Sequence, residues 1–254
     1  MPEWIYGRHA VEEMLRAGHR RVQRVLLSES GGKGSQNGGG ERLSGIMELA
    51  RKRRVPVERV SAMRLDVLLK VGQHHQGVAA EASGFPYASL ADVERMCRDQ
   101  GGRAPVLLLD SVQDPQNFGT LLRSSEATGI TAVVMLDRRQ VEVTPAVVNA
   151  SAGAVEHLNV CKVNNLPRAI EALQGAGLWI YALSSEEGAT LYSDTDFTGA
   201  VGLVVGSEGR GVGKLVREKC DGAVAIPMLG RVESLNAAVA GSIVLYEVVR
   251  QRGL

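Results

Sequence analysis

Residues 105–136 read PVLLLDSVQDPQNFGTLLRSSEATGITAVVML. Two apolar runs, 106–109 and 132–136, flank a polar loop and a helical stretch over 117–128. Neither run alternates apolar with polar, so both faces of each strand must be covered. The same strand–loop–helix unit recurs to the C-terminus. Further strands are predicted at 158–163, 178–183, 201–205 and 223–226. Further helices are predicted at 145–152, 166–174, 212–219 and 234–252. Such alternation implies an α/β domain with a mostly parallel sheet. Ligands in these sheets bind outside the carboxyl ends of the strands. The chemistry is therefore sought in the loops that follow strands.

Upstream lies a smaller α/β pattern. A helix is expected at 8–17, with Ala10, Val11, Met14 and Leu15 apolar and Gly18 as its stop. A strand at 24–28, a helix at 41–54, a strand at 55–60, a helix capped by Ser61 and running to 69, and a strand at 77–82 follow. The run GGKGSQNGGG at 31–40 cannot bury a core. It reads either as a surface insertion or, through Lys33, as an RNA-contacting loop. Residues 84–104 hold Pro86, a short helix at 89–98 and the pair Gly101-Gly102, the composition of a connection. The expected division is an N-terminal domain over 1–83, a linker over 84–104 and a larger domain over 105–254.

The formal net charge is only +1. Residues 1–80, however, hold 14 Lys and Arg against 8 Asp and Glu, leaving a net negative remainder. A basic front half suits a polyanionic partner, or is simply a solvated basic face. With 44% hydrophobic and 22% charged residues, the composition is that of an ordinary soluble globular protein. No apolar run reaches the length of a bilayer span, and the start, Met1-Pro2-Glu3-Trp4, has no signal-peptide pattern. A cytoplasmic location is expected. Cys97, Cys161 and Cys220 are odd in number and widely separated, which argues against disulfides and zinc clusters. They are expected as three buried or half-buried thiols.

Three post-strand loops could carry chemistry. The first, 110–123, is crowded with amides and carboxylates. It places Asn117 at a helix start, where an Asn is by itself a cap, and Arg123 nearly two turns further on. The second, GSEGRGV at 206–212, has three glycines that let backbone approach a ligand closely, and Glu208 as a polar anchor. The third, PMLGRVESLN at 227–236, leads into the final helix with Ser234 as its candidate cap. No GxGxxG follows the first strand of this half, and no GxxxxGK[ST] occurs. That argues against dinucleotide-binding Rossmann domains and common Rossmann-like methyltransferases. HExxH, GxSxG and CxxC are absent too, so hydrolase and metal readings have little support.

Taken together, DSVQDPQNFGTLLRSSEATG at 110–129, LVVGSEGRGV at 203–212 and IPMLGRVESLNAAVAGSIVLYE at 226–247 resemble the three signature motifs of the SpoU (TrmH) family of RNA methyltransferases, in that family's order and spacing. Residues 5–11 (IYGRHAV) and 71–77 (VGQHHQG) are similar to the two-domain members that act on large-subunit ribosomal RNA. The insertion at 31–40 departs from the pattern.

The resemblance implies a trefoil-knotted α/β domain, a feature that periodicity would never predict, preceded by a smaller ribosomal-protein-like RNA-binding domain. It implies S-adenosylmethionine as cofactor, no metal, and homodimers formed through the catalytic domain. The substrate it implies is a ribose 2′-OH in RNA, a guanosine of 23S rRNA first. A tRNA or other rRNA ribose, or a non-catalytic assembly factor that keeps the fold, stands as the alternative. Carried over by motif, Asn117, Arg123, Glu208, Ser234 and Asn236 are the catalytic set, with Arg123 acting through the target phosphate. Leu183, Gly206, Ile226, Met228 and Leu235 would hold the cofactor. Arg8, His9, Arg51, Lys52, Arg53 and Arg54, with Arg20, Arg21 and Arg24, are the candidates for RNA phosphate contacts. The 51–54 run also suits a helix C-terminus.

Overall fold

The computed structural model describes residues 2–29, 39–70, 72–138, 140–184, 188–232 and 234–253. Lys33 and most of the glycine-rich run lie outside the described residues. In chain order the elements begin β1 (Glu3–Tyr6), α1 (Arg8–Ala17), β2 (Val22–Ser28), α2 (Gly39–Lys52), β3 (Val57–Val60), α3 (Ala62–Leu69) and β4 (Val78–Ala82). They continue with α4 (Leu90–Asp99), β5 (Pro105–Asp110), α5 (Pro115–Ala127), β6 (Ala132–Leu136), α6 (Pro145–Ala150), β7 (Val160–Val163) and α7 (Leu166–Gly175). The last are β8 (Trp179–Leu183), β9 (Thr190–Leu191), β10 (Val201–Gly206), α8 (Lys214–Lys219), β11 (Gly222–Ala225) and α9 (Ala237–Gln251). The short strands β1 and β9 have no counterpart in the sequence reading, because runs of four and two residues carry little periodicity.

The chain forms two compact units, Met1–Pro86 with Val143–His157, and Tyr87–Glu142 with Leu158–Leu254. In the first, four strands lie in the order β1-β4-β2-β3. β4 runs antiparallel to both neighbours, and β2 and β3 are parallel. Segment 143–157, read in the sequence as part of the larger domain, belongs to this unit because three polar contacts fasten it there. Asn149 donates from Nδ2 to the Tyr6 carbonyl at 2.8 Å, and His157 Nε2 meets Glu13 Oε2 at 2.8 Å. Arg20 Nε lies 3.0 Å from Glu156 Oε1, with both side chains fully buried.

In the second unit, seven strands lie in the order β7-β6-β5-β10-β8-β11-β9, and every recorded pairing is parallel. All six residues of β5 and of β10 are buried, as the uninterrupted apolar runs require. Val106 and Leu108 join a core with Val93 and Cys97 of α4, Ala169, Ile170 and Leu173 of α7, and Val216 of α8. Leu107 and Leu109 are equally buried and alternate to the opposite face. The stretch expected as a linker is thus mostly a packed element: Ser89 and Asp92 close a capping box on α4. Strand β10 sits between β5 and β8, out of chain order. This interleaving is compatible with the knot that the family resemblance implies.

Helix α9 approaches the sheet through Gly241. A Cβ there would stand 2.6 Å from Leu121 Cδ2 of α5 and 3.1 Å from Val205 Cγ2 of β10. Ser124 and Ser242 share a 2.7 Å hydroxyl hydrogen bond across α5 and α9. Helices α5 and α9 are thereby held together beside the end of β10. As expected, Cys97 and Cys161 are buried and Cys220 is half-buried. Burial pushes the first two thiols up to about 11 and Cys220 to about 12, so none is a ready nucleophile.

Candidate active site

The carboxyl ends of β8, β10 and β11 open into a cavity of about 580 Å³, within the range of about 300–1,000 Å³ usual for small-molecule sites. Leu183, Gly206, Ile226, Met228 and Leu235 all stand on its wall, as do Glu208, Ser234 and Asn236. A second cavity of about 810 Å³ is lined by 110–114, Asn117, Arg210 and Lys214 among others, and it shares the Glu208 turn with the first.

The shared turn depends on glycine in two ways. Ser207 and Gly211 exchange backbone hydrogen bonds, Ser207 N–H to the Gly211 carbonyl at 3.1 Å and Gly211 N–H to the Ser207 carbonyl at 2.9 Å. Gly209 and Gly211 hold φ of +79° and +62°, where a side chain is strained. Gly206 serves close approach instead: a Cβ on it would lie 2.0 Å from the Gly211 carbonyl carbon. Gly206→Ala is therefore expected to open the turn, at a cost of about 1–3 kcal/mol. Calorimetry with S-adenosylhomocysteine should show affinity at least about tenfold weaker; an unchanged affinity would mean the turn does not shape the pocket.

Three loops meet at Asn236. Its Oδ1 accepts from the N–H groups of Ala238 and Val239 at 2.9 and 3.1 Å, capping α9. Its Nδ2 donates to Asn117 Oδ1 at 2.9 Å and to Glu208 Oε1. An amide nitrogen has two N–H donors, and here one goes to each neighbouring loop. Asn236, not Ser234, is thus the cap of the final helix; Ser234 is exposed on the cavity wall. Likewise Asp114, not Asn117, caps α5, accepting from Asn117 N–H at 2.8 Å, with Pro115 as the first helical residue. The dipeptide Asp114-Pro115 is a helix-start signal that could have placed this cap from sequence. Relieved of capping, the Asn117 side chain is available to Asn236.

Asp110, at the end of β5 and 8% exposed, ties the first loop to the second. Its Oδ2 accepts from Gly213 N–H at 2.8 Å and its Oδ1 from the Ser111 hydroxyl at 3.2 Å. The sequence reading had not singled it out, because the tie spans 103 residues. Asn236→Asp keeps the cap acceptor but loses both donors and sets a carboxylate beside Glu208. We expect an unchanged α9 by circular dichroism and activity at least about tenfold lower, since a hydrogen bond to a charged group is worth about 1.5–3 kcal/mol.

Arg123 stands apart. It is exposed on α5, lines neither cavity and pairs with no described residue. In the first unit the basic candidates divide. Arg20 is withdrawn from RNA contact: its side chain is fully buried against Glu3 and Glu156. Arg24 is paired with Glu81 and Glu58. Arg8 is half-buried and donates from Nε to the Gln76 carbonyl at 3.1 Å, and Arg53 donates to the Arg16 carbonyl at 3.2 Å. Lys52 pairs with Glu48 on the surface, while His9, Arg51 and Arg54 are exposed.

Residues 104–246 match the SpoU rRNA Methylase family model, and residues 4–88 match the model for RNA 2′-O ribose methyltransferase substrate binding. The chain belongs to the SpoU rRNA methylase family. It is 43% identical to the 23S rRNA (guanosine-2′-O-)-methyltransferase RlmB of Xanthomonas campestris over 98% of this chain and 97% of that one. Among solved structures, the SpoU methyltransferase AviRb from Streptomyces viridochromogenes, in complex with AdoMet, aligns with a TM-score of 0.78 at 26% identity, covering 99% of this chain and 90% of that one. The AdoMet-bound rRNA methyltransferase from Sinorhizobium meliloti shares the fold, with a TM-score of 0.77 at 21% identity over 98% and 87% of the two chains. This SpoU chain is an RNA 2′-O-methyltransferase and uses S-adenosylmethionine.

The cavity suits that cofactor chemically. Leu183, Val205, Val224, Ile226 and Leu235 would give apolar wall for an adenine, and the cavity also holds charged groups, Glu208, Arg210 and Arg217, for a zwitterionic tail. Among the described residues, no helix is long and apolar enough to cross a membrane.

Proposed function

We propose that this enzyme methylates the ribose 2′-oxygen of a guanosine in 23S rRNA, in the cytoplasm and as a homodimer formed through the second unit. The observation that carries the substrate is the 43% identity to RlmB along nearly the whole of both chains. The homodimer rests on the family resemblance, and is supported by exposed Val239 and Tyr246, 46% and 55% accessible and seven residues apart on α9.

The bound cofactor supplies a methyl group on a sulfonium, a leaving group that requires no metal. Leu183, Gly206, Ile226, Met228 and Leu235 would hold it. Ser234 and Asn236 complete the wall beside it, and Asn117 and Glu208, both bonded to Asn236, orient the ribose. A hydroxyl is a weak nucleophile, so alignment and a proton path carry the rate. Arg123 grips the phosphate of the target nucleotide. The cofactor would supply the activated methyl group for the 2′-oxygen, and the hydroxyl proton leaves through the phosphate that Arg123 holds. Arginine stays protonated throughout, since its pKa lies far above neutrality. Arg8, His9, Arg51, Lys52, Arg53 and Arg54 contact RNA backbone; with aromatics only 4% of the chain, folded RNA shape is recognised rather than stacked single strands.

Mapping ribose methylation across rRNA and tRNA, in cells with and without the gene, tests the substrate. Loss of one methylated guanosine in 23S rRNA is the expected result. Loss at a tRNA ribose instead would overturn it.

A further inference from the structure

We propose that Arg217 anchors the α-carboxylate of the cofactor's amino-acid tail and so sets the direction in which the cofactor lies. The assignment rests on the cavity at the ends of β8, β10 and β11 being the cofactor site. Three charged side chains among the described residues line that cavity, Glu208, Arg210 and Arg217. Glu208 and Arg210 lie on the turn shared with the second cavity. Arg217 lines the first cavity alone, half-buried in α8.

Its backbone is fixed at both ends. The Arg217 N–H donates to the Gly213 carbonyl at 2.9 Å, and its carbonyl accepts from Cys220 N–H at 3.0 Å. The tail of S-adenosylmethionine offers one anion, its carboxylate, and a guanidinium matches a carboxylate with two parallel N–H donors. With the carboxylate at Arg217, the sulfonium lies away from α8. It is left free to lie toward Glu208 and Asn236, whose bond to Asn117 marks the reacting end.

The test compares two ligands by calorimetry on the full-length protein. S-adenosylhomocysteine carries the amino-acid tail; 5′-methylthioadenosine keeps the adenosine and sulfur but lacks the carboxylate. For Arg217→Gln, affinity for S-adenosylhomocysteine should fall about tenfold to hundredfold, the range for a lost charge-assisted hydrogen bond. Affinity for 5′-methylthioadenosine should stay within about twofold. Arg217→Lys should recover part of the loss, because it restores the charge without the fork. Equal weakening of both ligands would assign Arg217 to holding the pocket's shape and overturn the proposal, as would unchanged affinity for S-adenosylhomocysteine. If the unaltered protein bound neither ligand, the cofactor-site reading itself would fail, and the anchor with it.

Discussion

Arg123→Ala is expected to lower methyl transfer by about 10²–10⁴-fold, the usual contribution of a positioned proton acceptor, here the phosphate that Arg123 holds in place, while leaving affinity for S-adenosylhomocysteine unchanged. Position makes the separation clean. Arg123 is exposed on α5, six residues beyond Asn117, and is on the wall of neither cavity. Exposed substitutions of this kind usually alter stability by no more than about 0.5 kcal/mol, so lost activity would not report lost folding. A side chain outside the proposed cofactor cavity can act only on what lies outside it, and an RNA phosphate is the anion proposed for it there. Arg123→Lys should recover little, because a point charge does not reproduce a planar fork on a phosphate. Single-turnover methylation of rRNA fragments, beside calorimetry, checks both arms. Near-normal turnover by Arg123→Ala would remove arginine from the mechanism.

The contrast between what the sequence disclosed and what it hid follows from range. Strands β5, β6 and β10 were legible because uninterrupted apolar runs announce burial on both faces. The loops after β5, β10 and β11 stood out as candidates because parallel sheets bind ligands at those ends, whereas Leu183, at the end of β8, came only with the family resemblance. Pairing across long separations was not legible. Nothing local in Asp110 or Gly213 says that one accepts a hydrogen bond from the other. Caps were misplaced by three and two residues, at Asn117 and Ser234, because several cap-competent residues crowd each loop and only the geometry selects Asp114 and Asn236. The basic candidates show the same limit. Arg20 and Arg51 are indistinguishable by composition, yet one is buried in an ion pair and the other is exposed.

That buried pair leads to the largest expected effect on stability. Arg20 Nη1 donates to Glu3 Oε2 at 2.9 Å and to the Ser83 carbonyl at 3.1 Å, and the guanidinium stacks 5.2 Å from the Phe85 ring centroid. Its Nε meets Glu156. One side chain therefore joins the first strand, the exit of β4 and segment 143–157. Arg20→Ala should destabilise the protein by about 3–5 kcal/mol, because it leaves Glu156 buried without its counter-ion. Burial already raises the Glu156 carboxyl above its ordinary value, and Arg20 opposes the rise. A carboxyl raised on folding contributes stability below its unfolded value and loses it as pH climbs through its folded value. Removing Arg20 raises it further, so the deficit of Arg20→Ala should shrink as pH falls from 7 toward 5 and Glu156 takes up a proton. Glu156→Gln in the Arg20→Ala background should remove most of that pH dependence, since no carboxyl remains to titrate. Urea unfolding across this pH range measures all three, and a deficit that stays constant with pH would show that the cost lies in lost packing against Phe85 rather than in a stranded charge.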